Sequence, residues 1–164
     1  MPCTRYWIKI PETIFTKEIT GKKTGVSYFM TLNNLKVLVV DDYEKMRQGI
    51  CAVLEKLGLT ITEASNGIEA LKVLRKEKFD LVFTDIVMPE MDGYELCEEI
   101  RKNSELANMP IVVVSTHYDS NYIVKALRHG ADDYIPKPVN IEIVQKVLNR
   151  ILTPAIQGEH HEQN

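Results

Sequence analysis

The chain has 164 residues, of which 45% are hydrophobic and 26% are charged, proportions typical of a globular protein with one domain and short extensions. Its formal net charge of -3 provides no basic surface for direct nucleic-acid binding. No apolar run is long enough to cross a membrane, the N-terminus lacks the apolar stretch of a signal peptide, and the three cysteines follow no disulfide or metal spacing, so we expect a cytoplasmic protein.

The two ends of the chain differ from its centre. Residues 1–34 show no helical periodicity, and their β-branched and aromatic segments allow either a hairpin or a poorly ordered N-terminal extension. Met30 would be a natural start for a protein without this extension. The polar residues 153–164 are expected to form a frayed tail, which leaves residues 35–152 as the folded domain.

From residue 35 onward, short β-prone runs alternate with segments of helical periodicity. Five strands are predicted, at about 35–40, 59–64, 79–84, 111–114 and 134–135, and a helix follows each of them. Gly58 and Gly130 are predicted to end the first and fourth helices. Asn66, Asp119 or Ser120, and Asn140 are predicted to cap the second, fourth and fifth. Such alternation favours parallel βαβ units, so we predict an α/β fold: a flavodoxin-like, doubly wound (βα)5 sheet of order 2-1-3-4-5.

Apolar residues at helical spacing predict the faces that the helices turn toward the sheet. On the third helix Leu96, Cys97 and Ile100 are expected to face inward, and on the fifth Ile141, Val144, Val147, Leu148 and Ile151. The helical patterns of the first and fourth helices include Met46, Val124 and Leu127. Cys51 and Cys97 fall inside similar patterns, and we interpret them as small core residues.

The most informative stretch is 79–93, in which an apolar run ends on Asp85 and a loop marked by Pro89 and Gly93 follows. Asp85 is therefore predicted to lie at the C-terminal end of a buried strand. Ligands bind at that edge of open α/β sheets. A lone aspartate there is usually a helix cap or a loop carboxylate, so its neighbours decide its interpretation.

Polar side chains also follow the other predicted strands. Asp41 and Asp42 follow the first strand, Ser115 ends the fourth, and Lys137 follows the fifth. In a parallel sheet these ends share one edge, and strands one and three are neighbours in the predicted order. Clustered carboxylates need a cation, and hard oxygen ligands suit Mg²⁺. Because a lysine and a hydroxyl can bind phosphoryl oxygens, the set predicts phosphoryl chemistry centred on an aspartate.

In order and spacing, these motifs resemble those of a receiver domain of the two-component response-regulator family. The matching segments are 39–42, 85–89 with 92–93, Ser115, 130–134 and 137–138. The resemblance covers about residues 35 to 152 and implies the same flavodoxin-like fold. It implies a stand-alone, chemotaxis-regulator-like receiver that is a signalling phosphoacceptor and not an enzyme. Its phosphoryl group would come from a histidine kinase or a phosphotransfer protein.

The resemblance also implies a role for each residue of the acidic site. Asp85 is expected to be the phosphoacceptor. Asp42 and Asp85 are expected to bind Mg²⁺ directly, Asp41 through water, and the backbone carbonyl of Val87 as a further ligand; Mn²⁺ could substitute for Mg²⁺. Lys137 is expected to pair with Asp85 in the empty site and with a phosphoryl oxygen in the occupied one.

Two switch residues and three tuning positions complete the resemblance. Ser115 is expected to move toward the phosphoryl group, and the ring of Tyr134 to turn inward as the following loop moves. Helix 4, strand 5 and helix 5 would then bind a downstream protein target. Val87, Thr116 and His117 occupy positions that tune the lifetime of the phosphoryl group. Thr116 replaces a very small residue and narrows access to the phosphoacceptor, and we expect His117 to face solvent.

The sequence also bears on four alternative interpretations. A phosphohydrolase of the haloacid dehalogenase class needs a second aspartate two residues after its nucleophile, where this chain has Val87 or Tyr43. A nucleotide or flavin binder needs a Gly-rich loop after the first strand, where the acidic segment 41–44 would repel a phosphate. An interaction module that works without phosphorylation, and a receiver fragment of a larger hybrid kinase, remain open alternatives.

Overall fold

The computed structural model describes residues 34–152, in which five strands alternate with five helices. In chain order the elements are β1 (Lys36–Val40), α1 (Glu44–Lys56), β2 (Thr60–Ala64), α2 (Gly67–Leu74), β3 (Leu81–Thr84), α3 (Gly93–Lys102), β4 (Ile111–Ser115), α4 (Ser120–Arg128), β5 (Asp133–Pro136) and α5 (Ile141–Leu152). The hairpin or extension predicted upstream and the tail predicted from residue 153 lie outside the described residues.

The strands form one parallel sheet of order β2-β1-β3-β4-β5, so the predicted fold is confirmed. β1 and β3 are neighbours, and Val40 pairs with Thr84 at their C-terminal ends. The Asp85 N–H donates to the Val40 carbonyl oxygen at 2.9 Å. This register brings the residues that follow β1 and β3 side by side.

Helices cover both faces of the sheet, which explains why its central strands are apolar throughout. Successive side chains of a strand point to opposite faces. Val37 and Val39 therefore pack in the core formed with α1 and α5. Leu38 and Val40 pack in the second core, formed with α2, α3 and α4.

The helix boundaries follow the sequence signals. Gly58 and Gly130 adopt positive φ angles of 82° and 106°, a left-handed conformation that favours glycine, just beyond α1 and α4. Asn66 and Asp119 accept hydrogen bonds from backbone N–H groups in the first turns of α2 and α4. Asn140 does the same for α5. The predicted caps are therefore confirmed, with Asp119 rather than the following serine as the cap of α4.

The predicted inward face was wrong at Ile141, the first residue of α5, which is 38% exposed. Met46, Val124 and Leu127 are 42%, 45% and 47% exposed, and the buried residue of α4 is Ala126. The nine-residue α4 lies by the edge strand β5, where the sheet covers only a narrow stripe of the helix. Cys51 and Cys97 are buried, as predicted. Among residues 34–152, no helix has the length and apolarity that a membrane span requires.

Candidate functional site

Three carboxylates meet at the C-terminal edge of the sheet, as the strand order predicts. Asp41 and Asp42 follow β1 and Asp85 follows β3, and one oxygen from each lies within 4.8 Å of the others. Asp41 is fully buried, Asp85 is half-buried and Asp42 is exposed. The cluster therefore opens to solvent on the side of Asp42. A donor set made only of carboxylate oxygens fits a hard divalent cation such as Mg²⁺.

The side chain of Lys137 bridges two of these carboxylates. Its Nζ lies 2.6 Å from Oδ2 of Asp41 and 3.0 Å from Oδ2 of Asp85. Burial lowers the pKa of this ammonium, but the hydrogen bonds and negative charges of the two carboxylates outweigh burial, so the pKa lies above its usual value. The sequence predicted the pair with Asp85, and the shorter contact with Asp41 is an addition. Lys137 thus places a fixed positive charge inside the acidic cluster.

Backbone groups hold the remaining oxygens of the two inner carboxylates. Oδ1 of Asp41 accepts from the Tyr43 N–H at 2.9 Å, and Oδ1 of Asp85 accepts from the Ile86 N–H at 2.7 Å. The carboxylate of Asp42 accepts no hydrogen bond from any residue that the structure describes. Asp42 is consequently the carboxylate whose oxygens are most available to a ligand.

The two predicted switch residues contact the same loop. Ser115 is buried at the end of β4, and its Oγ accepts from the His117 N–H at 3.2 Å. The phenol of Tyr134 donates to the carbonyl oxygen of His117, so its ring is turned toward the loop. Burial raises the pKa of Tyr134, which keeps the phenol protonated and able to donate. Sequence reasoning missed the backbone of residue 117 as the point where both contacts meet.

The three positions that were predicted to tune the lifetime of the phosphoryl group have different environments. Val87 is 59% exposed, and Thr116 is also exposed. His117 is half-buried, and its imidazole stacks on the ring of Tyr122 with centroids 4.5 Å apart and planes 10° apart. Stacking removes one apolar ring face from water. The expectation that His117 faces solvent is therefore wrong for that ring face.

Two residues outside the acidic cluster hold the backbone of the site. The Gly93 N–H donates to the Ile86 carbonyl oxygen at 2.8 Å, and a Cβ added at Gly93 would lie 2.1 Å from the backbone oxygen of Asp85. Nη1 of Arg47 donates to the backbone oxygen of Asp41 at 2.7 Å. The sequence marked Gly93 as a turn signal and as part of the matching segment 92–93, but it did not mark this close approach, and it did not mark the arginine at all.

Comparisons with known proteins agree with this geometry. The family model of the response regulator receiver domain matches residues 37–149. The chain is 36% identical over 119 residues to the chemotaxis protein CheY-3 of Vibrio cholerae serotype O1, which covers 72% of this chain and 92% of that protein. It is 35% identical over 117 residues to the protein PilH of Pseudomonas aeruginosa, which covers 71% of this chain and 97% of PilH.

A solved structure is also similar. The receiver domain of the sensor histidine kinase PA1611 from Pseudomonas aeruginosa PAO1 has a magnesium ion coordinated in its active-site cleft. It matches this chain with a TM-score of 0.68 and 27% identity, over 73% of this chain and 99% of that domain. The sheet order, the acidic edge and these matches together show that the chain belongs to the family of response-regulator receiver domains.

Proposed function

We propose that this protein is a phosphoacceptor whose Asp85 takes a phosphoryl group from a histidine kinase or a phosphotransfer protein. The observation that carries the proposal is the contact of Asp85 with a buried ammonium inside a carboxylate cluster. In the transfer, an oxygen of Asp85 attacks the phosphorus of a phosphohistidine. The new P–O bond forms as the P–N bond breaks, and the imidazole leaves with the electron pair.

The proposed metal is Mg²⁺, with Asp42 and Asp85 as direct ligands, Asp41 as a ligand through water, and the carbonyl of Val87 as a further ligand. The carboxylate of Asp42 supports this assignment because it is exposed and accepts no hydrogen bond from residues 34–152. The magnesium in the PA1611 receiver domain also supports it. When bound, the ion neutralises negative charge on the carboxylates and on the entering phosphoryl group. Mn²⁺ could substitute, because it prefers the same oxygen ligands.

Lys137 is proposed to neutralise the site in both of its states. With no phosphoryl group bound, its ammonium pairs with Asp41 and Asp85. On phosphorylation, the contact with Asp85 is replaced by one with a phosphoryl oxygen, while the contact with Asp41 can persist. Because the side chain is only 6% exposed, water screens this charge poorly and each contact is correspondingly strong.

The proposed switch transmits phosphorylation through the loop between β4 and α4. A movement of the Ser115 hydroxyl toward a phosphoryl oxygen breaks its contact with the His117 N–H, and the phenol of Tyr134 holds the carbonyl of the same residue. Because α4 begins only a few residues later, the loop and the helix shift together. This biases a two-state equilibrium by a local change of charge.

The proposed output is altered binding of a downstream protein at the surface of α4, β5 and α5. Exposed aliphatic side chains on α4, Val124 and Leu127, support a role in protein binding. The exposed side chains of Val87 and Thr116 and the imidazole of His117 are proposed to set how easily the donor and water reach the acidic site. They would thereby tune the lifetime of the phosphoryl group.

Intact mass after incubation with acetyl phosphate and Mg²⁺ tests the proposed function. We expect the wild type to gain one phosphoryl group, and to gain none without Mg²⁺. Asp85→Asn should gain none, while Asp80→Asn, at the opposite end of the same strand, should behave as the wild type does. If the wild type gains no mass with acetyl phosphate, with phosphoramidate or with histidine kinases, the proposed function is wrong.

The likeness to the receiver domain of a sensor histidine kinase favours a second candidate, in which this receiver is part of a longer hybrid kinase. The chemistry at Asp85 is then unchanged, but the donor histidine belongs to the same polypeptide or to its relay partner. Determining the length of the natural protein in its own cells by mass spectrometry separates the two candidates.

A further inference from the structure

Asp42 is the least constrained carboxylate of the acidic site. All the carboxylate oxygens of Asp41 and Asp85 accept hydrogen bonds, from Lys137 and from backbone N–H groups. Asp42 is exposed and its oxygens accept none from the described residues. Its position is therefore set by its backbone, and first by the orientation of the peptide unit that joins it to Asp41.

Arg47 holds that peptide unit. Its Nη1 donates to the carbonyl oxygen of Asp41 at 2.7 Å. This oxygen and the N–H of Asp42 belong to one planar unit. Fixing the oxygen consequently fixes the plane from which the Cα and the side chain of Asp42 project.

The guanidinium is itself held in place. Its Nε donates to a carboxylate oxygen of Glu63, on β2, at 2.6 Å, and the side chain is only 15% exposed. Because the donors of a guanidinium lie in one rigid plane, the bond to Glu63 helps to aim Nη1 at Asp41. Arg47 thus connects α1, β2 and the turn that carries Asp42.

We propose that Arg47 is a positioning residue that holds the carboxylate of Asp42 where it binds the metal. This inference rests on the proposed function, in which Asp42 is a direct ligand of Mg²⁺. Removing a group that orients a metal ligand without touching the metal typically weakens metal binding by about 10- to 100-fold.

Charge and position predict opposite effects for the loss of Arg47. A guanidinium beside the carboxylates repels a divalent cation, so removing a residue that acted by its charge alone would strengthen Mg²⁺ binding. Removing a residue that holds the peptide before Asp42 lets that carboxylate move and weakens Mg²⁺ binding. The sign of the change therefore distinguishes the two roles.

The test measures the dissociation constant of Mg²⁺ for the full chain by isothermal titration calorimetry. We expect Arg47→Met, which keeps much of the apolar stem, to raise the constant roughly tenfold. Arg47→Lys, whose ammonium can reach the carbonyl but lacks the planar fork, should restore part of the affinity. Arg101→Met is the matched control, because Arg101 also donates to backbone carbonyls, but at the other side of the domain. It should lose stability and keep its Mg²⁺ affinity.

A double variant separates positioning from a general loss of structure. If Arg47 acts through Asp42, then Arg47→Met added to Asp42→Asn weakens Mg²⁺ binding no further than Asp42→Asn alone. Additive losses in the double variant, or an unchanged or tighter constant for Arg47→Met, would overturn the inference and leave the proposed function standing. If the wild type binds no Mg²⁺, or Asp42→Asn binds it normally, the proposed metal ligands are wrong and the inference is overturned with them.

Discussion

Replacing Gly93 by alanine is expected to disturb the acidic site through the backbone alone. Gly93 is the first residue of α3. An added Cβ would lie 2.1 Å from the backbone oxygen of Asp85, 2.9 Å from the Cα of Ile86 and 3.0 Å from the carbonyl carbon of Asp85. All three atoms belong to the backbone, so no side chain can rotate away to make room.

The contact distances give the size of the effect. Non-bonded heavy atoms are in ordinary contact at about 3.5 Å, so the start of α3 and the Asp85 backbone must separate by about 1 Å or more. Such overpacking costs about 1–3 kcal/mol. The hydrogen bond from the Gly93 N–H to the Ile86 carbonyl, 2.8 Å long, ties the same two segments, and losing it costs about 1 kcal/mol. Alanine has a higher helix propensity than glycine, which stabilises α3 by at most about 1 kcal/mol. The net loss of unfolding free energy is therefore roughly 1–3 kcal/mol.

Gly49→Ala is the matched control for this prediction. Gly49 lies on the exposed side of α1, and an added Cβ there meets nothing within 4 Å. The same substitution should therefore raise the unfolding free energy, by up to about 1 kcal/mol. Equilibrium urea unfolding measures the unfolding free energy of each variant. Intact mass after timed exposure to acetyl phosphate measures the rate of phosphorylation. That rate should fall for Gly93→Ala and not for Gly49→Ala. A Gly93→Ala protein as stable as the wild type would refute the reasoning.

Three further predictions concern charge and burial. Arg101→Met should lower the unfolding free energy by roughly 2–4 kcal/mol, because the guanidinium donates to three backbone carbonyls. Lys102→Met, which loses only an exposed ion pair, should lower it far less, and equal losses in urea would contradict this reasoning. Folding raises the pKa of Lys137 above its usual 10.5. The contribution of this ammonium to the unfolding free energy is therefore complete below the pKa that the lysine has in the unfolded chain, and it is lost as the pH rises through the pKa in the folded protein. In urea unfolding at increasing alkaline pH, the difference in unfolding free energy between the wild type and Lys137→Met should therefore shrink. A difference that stays constant with pH would contradict this prediction. Burial raises the pKa of Cys97 to about 12 and that of Cys51 to about 11. Iodoacetamide near neutral pH should therefore modify these two cysteines only after urea is added. Peptide mapping that finds either cysteine modified in the native protein would disprove this prediction.

The sheet order and the acidic edge were predictable because they depend on signals that are local in the sequence. Each apolar run that ends on a polar residue marks the C-terminal end of a strand, and parallel strands all end at the same edge. The contact between the turns after β1 and β3 then follows from the order 2-1-3-4-5 alone. This is why the sequence alone predicts that Asp41, Asp85 and Lys137 lie together.

The contacts of Gly93 and Arg47 could not be predicted in the same way. They depend on how closely α3 and α1 approach the ends of the strands, and a pattern of residue types does not specify that distance. The exposure of Val124 and Leu127 has a related cause. Their spacing is that of a buried face, but burial depends on how much of α4 the sheet covers, and this is a property of the edge strand rather than of the helix.

The contacts of Lys137 connect the edge strand β5 with the carboxylates at the centre of the sheet. The lysine follows β5, which lies two strands from β3 and three from β1, and neighbouring strands are about 4.8 Å apart. Its Nζ nevertheless contacts Asp41 and Asp85, so the loop after β5 and the lysine side chain together bring the ammonium past the end of β4, where Ser115 lies. Because Asp41 is fully buried, local unfolding that detached β5 would leave its charge without a partner, which opposes such unfolding. The same lysine that is proposed to bind the phosphoryl group therefore also holds the far edge of the sheet to its centre.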